Sequence, residues 1–267
     1  MQTAATGSLG LTMAGALPIN AQDLPKEEAR VGLIGMDTSH SVAFSKYINQ
    51  HDNGFQVTAA YTTVSRDIPS SYERVDKFTE ELQGMGLKIV NNIQQLLEET
   101  DYILLETNDG RLHRKQAEEI FKSGKRTFID KPVAATYEDV KYIYQLAKDS
   151  GMATFSSSGT RYMSKPQEVR NGSIGEVLGA DTYSPVSYEP NHSDLFWYGI
   201  HGVELLYTTM RTGCHRVRRT RSEKHDTVIG EWKNGGIGTF RGLLTGEKGY
   251  GGQAFGTKGL TDLGSWE

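Results

Sequence analysis

The segment Arg30 to His40, RVGLIGMDTSH, constrains this chain more than any other. Val31, Leu33 and Ile34 form a short apolar run, glycines punctuate it, and an amphipathic stretch begins near Ser41. The pattern reads as strand, tight turn and helix. In an α/β protein such a turn is where a dinucleotide's pyrophosphate rests on free N–H groups at a helix N-terminus. Gly35 can serve as the first glycine of that fingerprint, but Asp37 and His40 stand where the second and third belong. Three outcomes are open. The diphosphate shifts outward onto the Thr38 and Ser39 hydroxyls, with Asp37 turned away as a helix N-cap. Asp37 and His40 contact substrate or a cation, although two residues are too few for a metal site and none is expected. Or the cofactor no longer binds, and the fold is inherited for ligand binding or scaffolding.

Beyond this turn the alternation continues. QVTAAYT (Gln56 to Thr62) predicts a buried strand, and Ser70 and Ser71 predict the cap of a helix from Tyr72 to Leu82. Next come a strand at Leu87 to Val90, a helix at Ile93 to Glu99 and a strand at Tyr102 to Leu105. The turn Glu106 to His113 leads into a helix ending near Gly124. A strand at Thr127 to Ile129 and a helix at Tyr137 to Lys148 follow, the latter with Val140, Ile143, Tyr144 and Ala147 as its buried stripe. Ala153 to Ser156 is the last strand of this half. Such regularity means a parallel sheet with helices on both faces. From Gly175 onward the pattern becomes α+β with an antiparallel sheet: strands at Val177 to Tyr183, Arg216 to Ser222, Thr227 to Trp232 and Gly236 to Arg241, with one helix at Gly199 to Met210. The expected units are residues 1–29, a signal-like or disordered segment; 30–152, a Rossmann-type dinucleotide-binding domain; and 153–267, an α+β substrate and oligomerisation domain.

A net charge of −4 with interspersed signs gives no electrostatic footprint for nucleic acid and favours small, neutral or mildly polar ligands. The single cysteine, Cys214, excludes an intramolecular disulfide and a cysteine-based zinc cluster. Residues Thr3 to Ala21 look like the hydrophobic part of a twin-arginine export signal without its basic start, and are too short and too rich in Gly and Ala for a membrane span. The expected location is periplasmic or exported if that basic region exists, and cytoplasmic otherwise. No acidic residue ends the second predicted strand. Thr62, Thr63, Ser65 and Arg66 are there instead, which suits a 2′-phosphate better than a bare ribose, though a hydrophilic loop explains them equally.

Taken together the chain resembles the Gfo/Idh/MocA family of nicotinamide-dependent oxidoreductases. Four stretches carry the resemblance: Thr107-Asn108 with His113 five residues after Asn108; Gly124-Lys125 followed by Ile129-Asp130-Lys131-Pro132, with Asp130 where the family has glutamate; Gly172 to Val177; and His201 on the helix of the second half. The D-T-S-H turn is similar to that of an exported bacterial subgroup. The resemblance implies a Rossmann domain followed by a mostly antiparallel sheet domain, NAD or NADP as cofactor, and a sugar, cyclitol or related polyol as substrate. It also implies a homo-oligomer through the second sheet, and relatives continue beyond the point where this chain stops.

For the site, the resemblance implies that Lys131 lies beside the reacting carbon and that His201 is an acid/base candidate. Tyr198 joins them as a catalytic candidate. The cofactor-side residues are Gly35, Asp37, Thr38, Ser39, His40, Thr107, Asn108, His113, Asp130, Lys131, Pro132 and Arg161. The chemistry agrees: oxidising a secondary alcohol needs a base for the hydroxyl proton and a cation near the developing alkoxide. Many relatives carry an aspartate four residues before the histidine, whereas here Trp197 is there, Asp194 lies seven residues upstream and Glu204 one turn downstream. The run Phe196-Trp197-Tyr198 serves as a sugar-stacking wall or as core. Two alternatives stay open: a lyase, isomerase or glycosidase that uses tightly bound NAD transiently, and a non-catalytic ligand-binding protein.

Overall fold

A computed structural model describes residues 28–265; the signal-like segment lies outside them apart from its last residues. The first sheet contains β1 (Ala29–Ile34), β2 (Phe55–Tyr61), β3 (Lys88–Ile89), β4 (Tyr102–Leu105), β5 (Arg126–Ile129) and β6 (Thr154–Phe155). Its order is β3-β2-β1-β4-β5-β6, and every pairing is parallel. The helices joining these strands are α1 (Ser39–Gln50), α2 (Pro69–Tyr72), α3 (Val75–Gly84), α4 (Ile93–Glu99), α5 (Gly110–Lys122) and α6 (Tyr137–Asp149). Strand order reverses between β1 and β4, so a crevice opens there beyond the strands' C-terminal ends. Apolar side chains of the strands pack against helices on both faces: Ile34, Leu105 and Ile129 join Leu96, Ile120 and Ile143 on one, and Val31, Leu33 and Val57 join Val75 and Leu82 on the other.

The second sheet has the order β12-β11-β7-β10-β9-β8. Its strands are β7 (Val177–Pro185), β8 (Cys214–Arg221), β9 (His225–Trp232), β10 (Ile237–Leu243), β11 (Gly251–Gly256) and β12 (Gly259–Asp262). All pairings are antiparallel except β7 with β10, which is parallel. Helices α7 (Ser164–Arg170) and α8 (Ile200–Met210) cover one face, where Leu205, Leu206 and Met210 pack on Trp232, Phe240 and Ala254. The other face presents Tyr183, Val217, Ile229, Ile237 and Phe255 to solvent.

Several local expectations need correction. The helix expected over Tyr72 to Leu82 is two helices, because Ser71 does not cap: its hydroxyl donates to Asp37 Oδ2 at 2.5 Å. Helix α1 starts at Ser39, and its N-cap is Thr38, whose side chain accepts from His40 N–H, rather than Asp37. On α6, Tyr144 is 41% exposed and leaves the stripe, while Ile143 and Ala147 are buried. Strands β11 and β12 and helix α7 were not anticipated.

Gly35 is irreplaceable for a steric reason. Its φ is +99°, and a Cβ there would lie 2.3 Å from Thr107 N, inside the β4–α5 loop. Gly35→Ala is therefore expected to cost about 2–5 kcal/mol, strain and overpacking combined, measured by chemical denaturation. Wild-type stability in that variant would show that the two loops do not meet so closely.

Candidate active site

The turn after β1 resolves the problem of its missing glycines. Asp37 is fully buried and aimed away from the α1 N-terminus. It accepts from Ser71 Oγ and, at 3.0 Å, from Asn108 N–H, and Arg74 Nη2 donates to its carbonyl at 3.2 Å. Burial pushes its pKa up, and the hydrogen bonds oppose this only in part. Asp37 thus fastens the first turn to α2 and to the β4–α5 loop. The first turn of α1 is left with Thr38 as cap and Ser39 exposed, a free helix N-terminus of the kind that receives a diphosphate. Thr107 Oγ1, buried beside Gly35, has no hydrogen-bond partner among the described residues. The residues present therefore fit a dinucleotide, which Gly35, Thr38, Ser39 and Thr107 would hold.

Two other cofactor-side expectations change role. His113 is buried, with Nε2 2.7 Å from Thr107 O and Nδ1 3.0 Å from Val133 O, so it ties loops together rather than facing the crevice. Asn108 is committed to Asp37 through its N–H and to Ser70 Oγ through its side chain at 2.9 Å. Arg161 Nε donates to Glu204 Oε1 at 2.5 Å, which explains why Glu204 does not serve His201. Asp194 pairs instead with Arg219. Trp197 packs on His192, ring centroids 4.7 Å apart.

At the C-terminal ends of β4 and β5, acidic groups converge. Glu106 and Asp130 begin the two loops, locked by Glu106 N–H to Ile34 O at 2.6 Å and Asp130 N–H to Leu105 O at 2.8 Å. His40 Nδ1 reaches Asp130 Oδ2 at 2.8 Å, its ring stacked on Phe44. Lys131 Nζ lies 3.8 Å from the same carboxylate, with its side chain largely buried, and Pro132 behind it is buried. Burial opposes the charge on Asp130, yet Lys131 and His40 together hold its pKa below the ordinary value. Glu106 goes the other way: full burial first, then the neighbouring charge of Asp130, push its pKa well up.

The second half supplies the opposite wall. His201, in the first turn of α8, is buried, and its Nδ1 meets Ser158 Oγ at 2.7 Å. Burial first, then the neighbouring Lys131 and His40, push its pKa down to about 3, so it is a neutral imidazole. Tyr198 meets His201 edge-on at 5.0 Å between centroids, and its hydroxyl is 3.0 Å from that of Tyr250. Ser158, Tyr250 and Glu106 belong to this constellation and were missed from sequence. The serine run at Ser156 to Ser158 was the only signal for any of them. His192 was also missed: it accepts from Gly110 N–H at 3.0 Å and so supports the start of α5.

A crevice at a strand-order reversal, a lysine, a neutral histidine and a tyrosine pair together suit proton transfer at a hydroxyl carbon. Residues 29–157 match the family model GFO_IDH_MocA, "Oxidoreductase family, NAD-binding Rossmann fold". No curated protein sequence matches the chain. Among solved structures, the WlbA dehydrogenase from Bordetella pertussis in complex with NADH and UDP-GlcNAcA superposes with a TM-score of 0.71 at 19% identity, covering 89% of this chain and 74% of that one. GenD2 from gentamicin A biosynthesis, in complex with NAD, gives 0.72 at 15% identity, with 88% and 72% covered. The UDP-N-acetylglucosamine 3-dehydrogenase GnnA from Acidithiobacillus ferrooxidans gives 0.68 at 16%, with 88% and 77% covered. At these identities the likeness is one of fold.

Proposed function

We propose that the chain, whose residues 29–157 match the Gfo/Idh/MocA oxidoreductase family with its NAD-binding Rossmann fold, oxidises or reduces a secondary alcohol carbon of a sugar, cyclitol or related polyol. The observation that carries this reading is the pair of built positions: Lys131 just after β5, 3.8 Å from the buried Asp130, and His201 buried in the first turn of α8 with Nδ1 2.7 Å from Ser158 Oγ. When bound, the nicotinamide supplies hydride acceptance or donation. The chain's own residues do the rest. Lys131 places a positive charge where an alkoxide develops and lowers the cost of that charge. His201, neutral and oriented by Ser158, is in the form that accepts a proton. Tyr198 and Tyr250 form a hydroxyl pair beside it that can pass the proton on. The neighbours that act on nucleotide sugars support a carbohydrate-like substrate. Exposed Arg66 after β2 supports NADP as readily as NAD. The apolar residues on the open face of the second sheet support contact with a second copy there.

The test is a titration of purified protein with NADH and NADPH, followed by fluorescence, and an assay of nicotinamide reduction over hexoses, nucleotide sugars and inositols. Binding of one dinucleotide per chain and substrate-dependent reduction are expected. No binding of either dinucleotide would overturn the oxidoreductase reading. Turnover without net nicotinamide reduction would favour a lyase, isomerase or glycosidase in its place.

A further inference from the structure

Glu106 stands apart from every other carboxylate among the described residues. It is 0% exposed, and neither of its oxygens has a hydrogen-bond partner. Asp130, 4% exposed, has one oxygen, Oδ1, in the same condition. Two buried carboxylates thus present three acceptor atoms that no donor among the described residues satisfies. One proton on Glu106 would supply one donor and leave the surplus in place, at a cost of several kcal/mol in buried polar desolvation. A third group completes the arrangement: one ligand atom each from His40, Glu106 and Asp130 lie within 4.8 Å of one another. Ligands of one ion held at about 2.0–2.2 Å can be no more than about 4.4 Å apart. The cluster therefore closes on an ion with side-chain shifts of a few tenths of an ångström.

We propose that His40, Glu106 and Asp130 form a binding site for a divalent transition-metal ion. The donor set selects the metal. An imidazole nitrogen with two carboxylates suits Zn2+ or Mn2+, whereas Ca2+ asks for six to eight oxygens and Mg2+ keeps most of its waters. Three protein ligands leave coordination positions open to water or to an oxygen of the substrate, as in catalytic rather than structural sites. Lys131, at 3.8 Å from Asp130, neutralises one of the two carboxylates and leaves the other to the ion. The expectation from sequence had counted Asp37 with His40. The structure removes Asp37 from the set and brings in Glu106 and Asp130 from two other loops. This inference rests on these ligands alone and not on the dinucleotide, so binding of the metal and of NAD(H) fail or succeed independently.

The full chain, stripped with a chelator and dialysed, is titrated with Zn2+, Mn2+ and Co2+. Metal content is read by mass spectrometry of the eluted protein and geometry by the visible spectrum of Co2+. One ion per chain is expected, with a rise in melting temperature. Glu106→Gln is the discriminating variant, since neither carboxylate oxygen of Glu106 has a hydrogen-bond partner among the described residues. Its apo form should melt no lower than wild type, while its metal affinity should fall at least about 100-fold. His40→Ala should weaken binding comparably. Absence of stoichiometric binding in the wild type, or equal binding in Glu106→Gln and His40→Ala, would overturn the site.

Discussion

Lys131→Ala is expected to lower turnover by about 10²- to 10⁴-fold while changing dinucleotide affinity less than tenfold. The lysine sits at the end of β5 with its carboxylate partner at 3.8 Å, so its position is fixed by Asp130 and by the loop's backbone. Alanine removes the ammonium charge that the proposed mechanism places beside a developing alkoxide, and with it the electrostatic lowering of that charge's cost. Lys131→Arg restores a charge but in a larger, planar group, and recovery should be partial. Steady-state kinetics with fluorescence titration of NADH separate the two effects. Full activity in Lys131→Ala would remove the residue from the mechanism.

Asp226→Asn should destabilise the second half of the chain by about 2–4 kcal/mol. Asp226 is fully buried in β9, where Arg219 Nε donates to it at 2.8 Å and Tyr188 Oη at 2.6 Å, while Arg221 lies over the Tyr188 ring. Burial works against its charge, but Arg219 first and Tyr188 next hold its pKa below the ordinary 3.8. A carboxylate with a depressed folded-state pKa contributes stability above the unfolded value, and loses it as pH falls through the folded value. The difference between wild type and variant should therefore be constant near neutral pH and shrink below about pH 3.8. Urea denaturation across that range measures it. A gap that persists undiminished in acid would show that the charge is not what stabilises.

The parallel half was legible because each strand is an apolar run and each helix has its own stripe, both local signals. Helix α4 and strand β4 keep the predicted bounds, Ile93–Glu99 and Tyr102–Leu105. What failed were features decided by distant partners. Ser71 looked like a cap until Asp37, 34 residues away, claimed its hydroxyl. Strand β11 reads GGQAFG, and glycines ordinarily argue against a strand. Here Gly252 lies against β7 so closely that a Cβ would be 2.2 Å from Asp181 O. The site divides along the same line. Lys131 and His201 stand in recognisable surroundings, whereas Glu106, Ser158 and Tyr250 acquire meaning only when three loops and two halves of the chain meet.

The His192 contact belongs to a set that joins the two halves. Asn191 Nδ2 donates to Asp67 Oδ2 at 3.1 Å, His192 accepts from Gly110, and Ser193 N–H donates to Ala135 O at 2.9 Å. One short segment of the second half is thus buttoned onto two loops and the start of α5 in the first. Any opening wide enough to admit a bulky substrate from that side must undo these fastenings together. His192 can accept only as a neutral ring, and burial keeps its pKa down at about 4. The hydrogen bond from Gly110 to His192 is consequently kept from mildly acidic to alkaline solution.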